Sequence, residues 1–75
     1  MEIALTALPP RLWGTVTRIA LPEALEARLR SFGFTPGTQL SPRYQSPDGA
    51  VTALELRGTL LALRTRDLKH VWVAL

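Results

Sequence analysis

Apolar positions in this chain follow two periods. Between residues 22 and 33, Leu25, Leu29 and Phe32 recur at i, i+4 and i+7, which places them on one face of a helix. Pro22 suits a first helical position, Glu23 and Glu26 favour the positive N-terminal end, and Arg28 and Arg30 favour the negative C-terminal end. Glu26 and Arg30 are spaced to pair on the opposite side, and Gly33 ends the segment. One short amphipathic helix is expected, with its stripe docked on a core.

Elsewhere the period is two. Thr52, Leu54 and Leu56 alternate with Ala53, Glu55 and Arg57, and the tight-turn chemistry of Ser46-Pro47-Asp48-Gly49 precedes them. Gly58 makes the next turn, and Thr59 to Arg64 follows as a strongly apolar strand. Trp13 to Ala20 and Thr38 to Gln45 read as earlier strands, Pro42 marking the second as an edge strand or the site of a bulge. Thr65 to Leu68 reads as one capped helical or 3₁₀ turn, and Val71 to Leu75 as the closing strand. The expected fold is mainly β: about five short strands, with one short α-helix between the first two. A small curled barrel buries both apolar strand faces and removes exposed edges.

A chain of 75 residues is close to the lower limit for one hydrophobic core, so a single domain over residues 1–75 is expected. With 47% hydrophobic and 20% charged residues, the composition lies far from that of disordered chains. No run of 18 or more apolar residues occurs, and Met1-Glu2-Ile3 does not open a secretory signal. A soluble, cytoplasmic protein without membrane insertion is expected. The absence of cysteine removes disulfides, thiolate metal sites and cysteine nucleophiles together.

Little in the sequence supports catalysis. His70 is the one histidine, with Asp67 three residues before it, and a lone histidine at the start of a terminal strand is more often solvated than catalytic. The same two residues would supply two ligands where a stable zinc site wants about four. The glycines lie too far apart for a phosphate loop, and no Gly-Lys-Ser or Gly-Lys-Thr is present. The expectation is therefore a binding module with no catalytic residue, no metal site and no cofactor.

The stretch Arg28-Leu29-Arg30-Ser31-Phe32-Gly33-Phe34-Thr35-Pro36-Gly37 resembles the signature of FeoA-type domains, in which a helix ends in an Arg-Leu pair followed by Gly, an apolar residue and Pro-Gly. Ser46-Pro47-Asp48-Gly49, Leu56-Arg57-Gly58-Thr59, Ala62-Leu63-Arg64 and Val71-Trp72-Val73 extend the resemblance over nearly the whole chain. Ala50-Val51 and Leu12-Trp13 depart from the family pattern, which bears on partner choice more than on fold. The resemblance implies an SH3-like barrel that works beside a ferrous iron permease with a cytosolic GTP-binding domain. It also implies kinship with a module at the C-terminal end of some metal-dependent repressors. The motif has a reading from geometry alone: Gly33 in a left-handed C-cap, Phe34 folded back on the helix, and Pro36-Gly37 at the centre of a type II turn.

Aromatic and arginine residues dominate protein interfaces, so they supply the candidate contacts. Phe32 and Phe34 are expected in the core. Val71 and Val73 are the better inward residues of the closing strand, which leaves Trp72 a candidate for the outer face. Trp13 and Tyr44, beside Arg43 and Arg64, either form a contact surface or cover the ends of the core. The partner-binding candidates are thus Trp13, Arg43, Tyr44, Arg64 and Trp72. Nine basic against six acidic residues give +3, but the signs are interspersed, so no phosphate-tracking stripe and no nucleic acid are expected. Alternatives are a nucleic-acid-binding barrel, a freestanding repressor-type interaction module, and self-association through an exposed edge or Trp72.

Overall fold

The computed structural model describes all residues, Met1 to Leu75. Strands β1 (Glu2–Ala4), β2 (Gly14–Ile19), β3 (Gln39–Gln45), β4 (Val51–Leu56), β5 (Thr59–Arg64) and β6 (Val71–Ala74) form one antiparallel sheet in the order β1-β6-β2-β3-β4-β5. Helix α1 (Glu23–Arg30) joins β2 to β3. Short 3₁₀ turns at Leu5–Ala7 and Thr65–His70 follow β1 and β5. A flat sheet is only about 10 Å through, whereas the smallest dimension here is 23 Å against a largest of 28 Å, so the sheet curls around its contents. That is the small SH3-like barrel expected from the sequence.

The core is where the period-two and period-3.6 residues meet. Leu54 and Leu56 of β4, Val16 of β2, Leu40 of β3, and Val71 and Val73 of β6 point inward. Leu5, Leu8 and Leu68 from the loops and 3₁₀ turns, with Leu29 of α1 and Phe34, close the ends. No helix is long and apolar enough to cross a membrane.

The segment after α1 follows the backbone geometry expected of it. Gly33 has φ +86°, its N–H reaches the Arg30 carbonyl at 3.0 Å, and the Phe34 N–H reaches the Leu29 carbonyl at 3.1 Å. These two bonds define a Schellman cap, and the buried Leu29 and Phe34 supply its hydrophobic contact. Gly37 has φ +95° and the Thr38 N–H bonds the Thr35 carbonyl at 3.0 Å, the type II turn that launches β3. Pro42 coincides with a bulge: between Pro42 and Tyr44 the register against β4 shifts, leaving Arg43 as the extra residue.

Five expectations are corrected. There are six strands, because Glu2–Ala4 pairs with Trp72–Ala74, and three residues are too few to show a period. The helix therefore lies between the second and third strands. Pro22 is the N-cap, with extended backbone, rather than the first helical residue. Phe32 is 52% exposed, because the helix ends at Arg30 and the cap turns the chain away before the stripe reaches it. The core position belongs to Phe34. Finally, closure does not remove the edges: β1 and β5 are both terminal in the sheet, and Leu60 on β5 is 55% exposed.

Candidate docking face around Trp13

Trp13 is presented by a fixed turn. The Leu12 N–H bonds the Pro9 carbonyl, and Arg11, at φ 71°, turns its own N–H to the carbonyl of Pro42 at 2.8 Å. The carbonyl of Pro42 thus anchors the loop that delivers Trp13 to the start of β2. The indole is about half exposed, and the Arg43 guanidinium lies 5.4 Å from its ring centre.

The bulge explains why Arg43 can reach. As the extra residue on β3 it is not confined to either face of the ladder, and its Nε bonds a Glu55 carboxylate oxygen at 2.9 Å. This pair is only partly exposed, which holds the guanidinium in place between Glu55 and the indole more firmly than a free surface arginine. Tyr44, the next residue, stands opposite Ala53, and Ala53 stands opposite Ala62, so the phenol flanks a floor of two small residues. Leu60, opposite Glu55, flanks the other end. Trp13 also borders a concavity of about 720 Å³, lined by Thr15, Gln39 and Arg57 among others.

Of the five candidates, Trp13, Arg43 and Tyr44 are therefore brought together, whereas Arg64 and Trp72 are not. β5 runs about 17 Å from the hairpin beside the Trp13 concavity to Arg64, which faces Val51 at the other end of the sheet. Trp72 pairs with Arg18, at the opposite end of β2 from Trp13. It faces outward, but the Arg18 guanidinium covers its ring at 3.9 Å and is itself held by Glu2 at 3.5 Å. Thr17 donates to the same Glu2 carboxylate at 2.6 Å, and this bond, with Arg18 nearby, keeps that carboxyl below its ordinary pKa. Leu60, 55% exposed, is the surface residue that sequence reasoning missed. For Leu60 the signal was present: Leu60, Ala62 and Arg64 share one face of β5, and Leu61 and Leu63 the other.

The remaining chemistry is sparse. His70 is exposed, and no three histidine, aspartate or glutamate side chains converge.

The sequence model of the FeoA domain matches residues 3–75. This chain belongs to the FeoA domain family. FeoA domains form an accessory, non-catalytic family associated with iron(II) transport. The FeoA protein of Chlorobium tepidum is similar to this chain with a TM-score of 0.92 and 25% identity, over 97% of this chain and 70% of that one. A FeoA-like protein of Clostridium acetobutylicum has a TM-score of 0.82 and 26% identity, over 99% and 86% of the two chains. A manganese-dependent transcriptional repressor shares the fold, with a TM-score of 0.84 and 18% identity, 97% of this FeoA domain matching 41% of the repressor. No curated protein matches the sequence.

Proposed function

We propose that this chain is a non-enzymatic accessory module of ferrous iron uptake. Acting in the cytoplasm as one domain of residues 1–75, it docks on the cytosolic GTP-binding domain of a ferrous iron permease and modulates it by contact. The observation that carries this reading is the Trp13–Arg43 pair. A half-exposed indole and a guanidinium fixed by Glu55 form a pre-organised aromatic and arginine anchor, with Tyr44 and Leu60 around it. Membership of an accessory iron-transport family supports the choice of partner.

Calorimetric titration of the permease's soluble GTP-binding domain at physiological salt tests the proposal, with a short structured RNA as control. Saturable binding that Trp13→Ala removes is the expected result. Silence with that domain, together with RNA binding that weakens steeply with salt, would favour the nucleic-acid alternative instead.

A further inference from the structure

Of the nine basic residues, Arg18, Arg30 and Arg43 are in ion pairs, leaving six without one. Four of those six, Arg28, Arg64, Arg66 and Lys69, line two adjoining grooves that meet at Arg64. The larger, of about 630 Å³, runs between residues 48–51 and the 3₁₀ turn that carries Arg66 and Lys69. The smaller, of about 330 Å³, lies between β5 and α1, with Leu25 and Leu63 as its apolar walls and Arg28 and Asp67 beside them. Neither shares a residue with the concavity at Trp13.

Two carboxylates belong to these grooves, and one of them is already committed. Asp48 accepts hydrogen bonds from the Ala50 N–H at 3.0 Å and the Ser46 hydroxyl at 2.7 Å, which hold the 46–50 turn and keep that carboxyl ionised. It is thus part of the wall of the groove. The surface that would be lost among interspersed charges in the sequence is, after folding, a local excess of positive charge over an apolar floor that includes the exposed Val51.

The strand edge selects the kind of anion. β5 is terminal in the sheet, and no backbone hydrogen bond outside the ladder to β4 reaches residues 59–64. Half of its main-chain donors and acceptors are consequently turned outward, along the smaller groove. An extended polypeptide matches this alternating row of donors and acceptors in register; the phosphates of a nucleic acid or a lipid headgroup supply acceptors only. We propose that this edge receives an extended acidic segment of a protein partner. Its main chain pairs with β5, its carboxylates meet Arg28, Arg64, Arg66 and Lys69, and its apolar side chains rest on Leu25, Leu63 and Val51. This second surface is independent of the Trp13 face and does not require the permease to be the partner.

The test uses the whole chain, isotope-labelled, and a short synthetic peptide of alternating glutamate and valine. Saturable amide shifts at residues 48–51 and 60–69 and in α1, with slowed exchange of the outward amides of β5, are expected. The triple variant R64A/R66A/K69A should bind about tenfold more weakly, since three exposed charges each contribute modestly, while R11A, another unpaired arginine, should bind as the parent does. Circular dichroism confirms that each variant is folded. Absence of saturable binding, equal binding of the glutamine-valine peptide, shifts at Trp13 instead, or unchanged β5 exchange would overturn the proposal. So would tighter binding of a single-stranded oligonucleotide or of phosphatidylserine vesicles at the same residues.

Discussion

The side chain of Arg57 lies across Gly33, so closely that a β-carbon on the glycine would stand 2.5 Å from both Cδ and Nε of the arginine. Gly33 is the left-handed residue of the α1 cap, and Arg57 belongs to the two-residue hairpin between β4 and β5. The contact brings a guanidinium stem to the negative end of the helix and ties the helix to the hairpin. Gly33→Ala is unfavourable chiefly through its backbone, since the left-handed conformation costs a side chain about 1–2 kcal/mol; the new methyl also displaces the flexible end of Arg57, so the contact is lost. Urea denaturation of G33A, R57A and the double variant should show the double losing less than the two singles together, because the contact can be lost only once while the backbone strain remains.

Phe32 and Phe34 should differ sharply although they are two residues apart. Phe34 is fully buried at the Schellman cap, and Phe34→Ala is expected to cost about 3–5 kcal/mol, enough to unfold a domain of this size. Phe32→Ala should change stability by no more than about 0.5 kcal/mol. Chemical denaturation of the two variants checks both expectations.

The two tryptophans should separate binding from folding. Trp13→Ala removes an exposed anchor and is expected to weaken partner binding by about 2 kcal/mol or more, with the denaturation midpoint little changed. Trp72→Ala opens the stack with Arg18 across the β2–β6 ladder and should lower the midpoint while leaving partner affinity near that of the parent. Calorimetry and denaturation on the same preparations give both quantities.

Acid should weaken the fold through Glu2 and Asp48. The folded pKa of each is lowered: for Glu2 chiefly by the Thr17 hydrogen bond, and for Asp48 chiefly by the Ala50 N–H and then the Ser46 hydroxyl. A depressed carboxyl contributes stability that is complete above its unfolded value, about 4, and that disappears as pH falls through the lower folded value. Urea midpoints measured from neutral pH down to pH about 2 should fall in that window. T17V and D48N should each make the fall shallower.

Features legible in the sequence were those with local causes. Gly33 and Pro36-Gly37 announced a cap and a turn because each needs a particular backbone angle, and Pro42 announced an edge strand or a bulge because it cannot donate to a ladder; β3 lies inside the sheet, and the bulge is what forms. The alternation of Thr52, Leu54 and Leu56 set the inner face of β4 for the same reason: a strand has only two sides. What could not be read there depends on register between distant segments. Glu2–Ala4 is a strand only because Trp72–Ala74 lies beside it. Arg43 meets Trp13 only because the bulge releases it and the Arg11–Pro42 bond brings the loop across. The Phe32 reading failed because a helical period was extended two residues past Arg30, where the helix ends.

Pairing of residues 2–4 with residues 72–74 also bears on how the molecule is made. The strand at the start of the chain is held by the strand at its end, and β2 too pairs with that final strand. On the ribosome, the β3–β4–β5 hairpins can assemble as they emerge, but Ile3 has no ladder partner, and Val16 only the Gly37–Thr38 turn, until residues 71–73 have left the exit tunnel. Completion of the barrel thus waits on β6, and until that strand is free the apolar inner face of β2 is available to chaperones.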